Sequence, residues 1–288
     1  MVPWHRGRES PAARRGQRAL RRAFQRAALH ADSPYDPTMR LAFPLLLFLA
    51  SAAIAQDDDS SGRFRVAIGL GSGNFAFETV DARPTEVLDD DTDAGMLRFQ
   101  FEGTTRSGIG GGLRFEGIGT DDDLFVRNGA NPSEIGYASL FGHATFRFQQ
   151  HRFAMPLRFG LLLNGLVLND TVTDQETSYS SIGPYLEIAP EVTLVGSRRS
   201  AWSLFGELGV GIAGTAIEVD GDYRDYESST GFVGLELGTR LRFSAFELSV
   251  SYVGRWQSMD ESDVEDGFVA LGYDAEWNGI LIQVGAVF

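Results

Sequence analysis

From residue 63 to the carboxyl terminus the chain alternates with a period of two, and the apolar half of that alternation carries no charge. Ten segments show it: 63–73, 95–104, 109–116, 136–149, 153–164, 181–195, 202–212, 231–243, 246–256 and 277–288. In the last, WNGILIQVGAVF, Ile280, Ile282, Val284, Ala286 and Phe288 share one face, while Leu281, Gln283, Gly285 and Val287 share the other. A period of two is the mark of a β-strand with unlike faces. Repetition through so many segments excludes a helical fold and leaves a sandwich or a barrel.

The placement of charge separates those two. Five polar connections, 78–94, 119–134, 167–180, 218–230 and 258–276, hold 26 acids and only Arg83, Arg127 and Arg224. Between them lie four tight turns, so long and short connections alternate strictly. The second face of the strands holds Arg65, Arg98, Arg114, Arg147, Arg158, Arg240, Arg242 and Arg255 with Glu102, Glu116, Glu187, Glu191, Glu207, Glu236 and Glu247; His143 and Gln283 share that face. No charge is left for the apolar face. A soluble sandwich turns apolar faces inward and charge outward, whereas an Arg facing lipid at mid-depth costs about 2–4 kcal/mol. Phe64, Phe148, Phe153, Trp202, Phe243, Phe246 and Phe288 also fall at one level beside the tight turns, the place of an interfacial aromatic girdle. The expectation is an all-β, closed, antiparallel, up-and-down transmembrane barrel of about ten strands, within a range of eight to twelve, with acidic outer loops.

The last strand, with its terminal aromatic, resembles the closing strand of bacterial outer-membrane β-barrels, and the whole of 63–288 looks like the small porin-like and opacity-like barrels. That resemblance implies that Phe288 is the signal recognised by the barrel-assembly machinery, that strand ten closes on strand one, and that the surroundings are outer-membrane lipid and lipopolysaccharide.

Ahead of the barrel, Met39 opens a basic start, an apolar run from Leu41 to Ala50 and the small-x-small Ala53-Ile54-Ala55. This has the form of a secretory signal cleaved after Ala55, and the apolar run is too short to span a bilayer as a helix. Residues 1–38 are then upstream or disordered sequence, 39–55 the signal and 56–62 a short acidic periplasmic tail. A twin-arginine leader around Arg21-Arg22 is the rival, its Arg pair lying far from the apolar run. Beyond residue 55 acids outnumber Arg 36 to 16, so binding to nucleic acid through charge is excluded.

Chemistry is sparse. The chain has no Cys, which removes thiol nucleophiles and disulfides. Only His143 and His151 lie beyond the signal, one on an inward strand face and the other in a tight turn. The omptin proteases, ten-stranded too, pair acids with an Asp-His couple at the outer rim, and outer-membrane lipases need a Ser-His pair there; neither histidine reaches that level. No cofactor is called for. Asp89, Asp91 and Asp93, or Asp121 and Asp123, are the weak candidate loop contacts for a divalent cation, but the spacing around Asp89–Asp93 fails the EF-hand pattern, and a solvated, mutually repelling acidic surface is the preferred reading. The functional expectation is a non-enzymatic barrel with a charge-paired, filled lumen and a structural or surface-interaction role; the alternative is a narrow porin-like channel for small solutes.

Overall fold

A computed structural model describes residues 63–80, 89–120, 124–125, 131–196, 200–222, 224, 226–263 and 269–288. The signal, the acidic tail, Asp121 and Asp123 lie outside the described residues. Eleven strands are present: β1 Arg63–Val80, β2 Asp89–Thr104, β3 Ile109–Thr120, β4 Ser133–Gln150, β5 Phe153–Asp170, β6 Gln175–Ile188, β7 Glu191–Gly196, β8 Ser200–Val219, β9 Tyr226–Phe243, β10 Phe246–Met259 and β11 Gly272–Val287. Each pairs antiparallel with its neighbours in sequence, except that β6 and β7 do not pair with each other but both lie between β5 and β8, and β11 returns to β1 along a ladder running from Arg65↔Val287 to Val80↔Gly272. The sheet thus closes into a barrel of ten positions, because β6 and β7 occupy one of them.

That split corrects the single strand expected over 181–195. Ala189 and Pro190 interrupt it, since proline has no N–H to give the ladder. The chain stays in place by other bonds: Ala189 N–H donates to Pro156 O at 2.9 Å, and Gly206 N–H to Pro190 O at 2.9 Å.

The apolar face points outward. Leu70, Ile212 and Val284 are 67%, 71% and 53% exposed, which a lipid-facing belt requires. The girdle residues Phe148, Phe153, Trp202, Phe243, Phe246 and Phe288 are all exposed at the tight-turn end. Phe288 is tied there by reciprocal backbone bonds with Phe64, at 2.9 and 3.0 Å. Tight turns are sustained by left-handed residues: His151 (φ 53°), Ser244 (φ 56°) and Gly108 (φ 83°), where a Cβ would lie 2.3 Å from Arg147 O.

The other correction concerns the outer connections. Strands run well past the belt, so 167–180 becomes a hairpin whose turn is only Thr171–Asp174, and 218–230 is strand through Val219 and again from Tyr226. Most described acids of the expected loops, including Glu78, Asp89, Asp91, Asp93, Glu134, Glu176, Glu218, Glu227, Asp274 and Glu276, therefore lie on strands. The physical reason is that the hydrogen-bond ladder does not stop at the lipid boundary. What changes there is the polarity of the faces: outward Val66, Ile68 and Leu70 give way to Asn74 and Glu78, while inward Arg65 gives way to Phe75 and Phe77.

Candidate functional site: the barrel lumen

Every inward position follows from pleat parity, and the lumen is built in layers. At mid-height four Arg and five Glu from seven strands converge. Arg98 on β2 reaches across to Glu236 on β9 at 2.6 Å and to Glu116 on β3 at 2.8 Å. Arg114 on β3 meets Glu187 on β6 at 2.7 Å and Glu207 on β8 at 3.1 Å. Arg158 on β5 bridges Glu102, Glu187 and Glu207 at 2.5–3.2 Å. Arg255 on β10 grips Glu116 with Nε and Nη2 at 2.9 and 2.8 Å, a two-pronged contact that fixes both side chains. Ser251 donates to Glu236 at 2.7 Å.

Lower down, Arg65 pairs with Glu247 at 2.7 Å and donates to Gln100 at 3.0 Å. Arg240 pairs with Glu191 at 2.9 Å and Glu247 at 3.1 Å. Arg147 and Arg242 face the same end without a carboxylate partner among the described residues. Gln283 is buried on β11. His143 is buried too, its ring stacked on Phe141 at 4.7 Å, and neither nitrogen has a hydrogen-bond partner among the described residues.

Sequence reasoning missed the layer above. Phe75, Phe77, Met96, Tyr179, Tyr273 and Trp277 belong to one buried apolar cluster inside the outer half of the barrel. Phe77 stacks on Tyr273 at 5.4 Å, and Tyr179 meets Tyr273 edge-on at 4.8 Å. Leu124 and Phe125 drop in between β3 and β4 to cap it. Leu124 exchanges backbone bonds with Ser133, and the left-handed Phe125 (φ 68°) donates its N–H to the buried Asp90 carboxylate at 2.7 Å. The signal was present in the sequence: the parity that places Arg65 inward also places Phe75 and Phe77 inward, and that of Gln283 does the same for Tyr273 and Trp277.

Between the ionic and aromatic layers lies a cavity of about 30 Å³ bordered by Arg114, Arg255, Tyr137, Tyr185 and Trp277, room for one or two waters. Tyr185 lies flat against the wall over Gly209, Gly211 and Gly234; a Cβ at Gly209 would come 2.0 Å from its hydroxyl. Part of the inward glycine content therefore makes space for a large lumen side chain.

Asp89, Asp91 and Asp93 alternate along the outward face of β2, with Asp91 accepting from Asn74 Nδ2 at 2.7 Å. Among the described residues no three His, Asp or Glu side chains gather in a metal-holding group.

No family profile and no curated protein matches the chain by sequence. Among solved structures, the outer membrane protease OmpT from Escherichia coli aligns over 81% of this chain and 98% of its own, with a TM-score of 0.50 and 10% identity. The chain has the bacterial outer-membrane β-barrel fold. The translocator domain of autotransporter NalP from Neisseria meningitidis covers 86% of the chain (95% of its own, TM-score 0.37, 10% identity), and Ail, the attachment invasion locus protein of Yersinia pestis, covers 78% (99% of its own, TM-score 0.28, 12% identity). At such identities the likeness concerns the fold alone.

Proposed function

We propose that this protein resides in the outer membrane as a sealed, non-catalytic barrel acting through the strand ends that project beyond the lipid, in a structural or surface-interaction role. The observation that carries this reading is the stacking of two independent closures: a guanidinium–carboxylate layer spanning the lumen, and an aromatic layer above it capped by Leu124 and Phe125. Small barrels are commonly filled by their own side chains, and a solute would have to displace both layers to pass. A narrow solute channel, the other reading, draws on the mixed Arg and Glu lining alone.

Against catalysis stands the position of the histidines, His143 inside the lumen and His151 in a tight turn, with none in the outer connections. The projecting acidic strands fit contact with lipopolysaccharide through bridging divalent cations, or with an external partner, and the closing strand fits recognition by the barrel-assembly machinery.

The test is conductance of the purified, refolded barrel in planar bilayers. The expected result is no steady single-channel current; a stable, large current overturns the sealed lumen. Peptide or lipid hydrolysis above the background of a heat-unfolded control would overturn the non-catalytic part.

A further inference from the structure

At the tight-turn end of the lumen, guanidinium groups outnumber carboxylates. Among the described residues, Arg63, Arg65, Arg147, Arg240 and Arg242 share Glu191 and Glu247 at this end, with Glu102 of the layer above also within electrostatic reach of Arg65 and Arg147, whereas that layer sets four Arg against five Glu. Glu191 is engaged by Arg240, and Glu247 through Oε1 by Arg65 and Arg240, while the buried Glu247 Oε2 makes no hydrogen bond and lies 3.8 Å from Arg63. Arg63, Arg147 and Arg240 are close enough to repel one another. Arg65, 6% exposed, has its Nη2 buried without a hydrogen-bond partner, and so has Nε of both Arg147 and Arg242. Buried donors on a charged group are costly when no acceptor meets them.

We propose that this end of the lumen is an anion site that takes an oxyanion of the phosphate or carboxylate type. Arg65, Arg147 and Arg242 supply the unmet donors, in the planar form that suits such oxygens. The site opens on the tight-turn side, where the Arg63 side chain is 25% exposed and Arg147 and Arg242 are half-buried. The anion has two available sources. One is a free oxyanion; the other is the chain's own Asp57-Asp58-Asp59, which precedes Arg63 in sequence by four to six residues. The proposal is independent of whether the lumen conducts.

Calorimetric titration of the full refolded barrel with inorganic phosphate at low salt tests it. Three variants run in parallel: Asp57→Asn/Asp58→Asn/Asp59→Asn, Arg147→Gln/Arg242→Gln, and Arg106→Gln at an exposed turn as control. Expected is saturable binding that weakens at least tenfold in Arg147→Gln/Arg242→Gln and is unchanged in Arg106→Gln. Equal binding by the wild type and the triple Asn variant identifies a free anion as the ligand. Binding by the triple Asn variant alone identifies the acidic tail as the resident anion. Absence of saturable binding in both, or undiminished binding in Arg147→Gln/Arg242→Gln, overturns the site. Should that double variant fail to fold, Arg147→Lys keeps the charge while losing the planar fork, and weakened phosphate binding is expected from it too.

Discussion

Replacing Arg114 by Met removes the guanidinium that contacts Glu187, Glu207 and Glu116 at 2.7, 3.1 and 3.4 Å, while leaving a side chain of similar length. The mid-height layer then has three Arg for five Glu. At a guanidinium-to-carboxylate separation of about 4 Å, one pair is worth about 4 kcal/mol at an effective dielectric of about 20, and about 1 kcal/mol in bulk water. Breaking a buried pair from one side costs about 3–5 kcal/mol, because the partner stays behind uncompensated; an exposed pair costs about 0–1 kcal/mol. Arg114 is 5% exposed, so Arg114→Met is expected to lose about 3–5 kcal/mol. Urea unfolding of the barrel in lipid vesicles, followed by the fluorescence of lumen Trp277 and belt Trp202, measures it. Adding Glu207→Gln should recover part of the loss, with a coupling of about 1–3 kcal/mol. The loss should also be nearly the same at about 0.1 M and about 1 M salt, since buried pairs are weakly screened. A loss below about 1 kcal/mol that fades in salt would mean that water fills the lumen, and the sealed-barrel reading would fall with it.

Other outcomes follow from the same layers. Phe77→Ala with Phe125→Ala empties the outer cap and should cost about 3–5 kcal/mol per ring in unfolding experiments, yet single-channel recordings should stay silent because the ionic layer beneath is untouched. Gly209→Ala should cost about 1–3 kcal/mol by pressing on Tyr185, and Tyr185→Leu in the same chain should restore most of it; no loss in the single variant would show that the ring does not need the glycine. At the β5–β6 turn, Asn131 and the N–H groups of Thr173 and Val172 hold the Asp170 carboxyl down to about 2. Its stabilising effect on the turn is then fully present above the ordinary value near 3.8 and lost as pH falls through about 2, which carboxyl NMR titration reads directly; a midpoint at the ordinary value would contradict it. Glu176 shows the opposite sign: burial, then the charges of Asp220, Glu218 and Asp174, push it up, so its ionised form strains the rim at neutral pH. Glu176→Gln should therefore stabilise the rim at neutral pH and have no effect once acid protonates Glu176, as read by amide exchange of the β5–β6 hairpin.

The alternation in residues 63–288 was enough to read the fold class, the number of ring positions and the membership of the inward and outward faces. Pleat parity is a local property: once a residue's strand and phase are known, so is its side. The charge-free belt added the membrane, because lipid penalises each outward charge separately and so leaves a position-by-position record in the sequence. Arg98, Arg114, Glu187 and Glu207 could be placed inside for this reason, but not joined.

Their partners belong to the tertiary structure alone. Arg98 finds Glu236 from 138 residues away, and Arg255 finds Glu116 from 139, distances that only barrel closure collapses. The outer boundary was misplaced for a related reason. Strand signals were sought where outward residues are apolar, whereas above the lipid the outward residues turn acidic and the inward ones aromatic. Phe77, Tyr179 and Tyr273 come from β1, β6 and β11, and only around a closed ring do they meet as one core. Sequence by itself determined which side of the wall each residue faces, since that depends on one strand's pleat; only closure decided which inward side chains meet, since that depends on what arrives from the opposite wall.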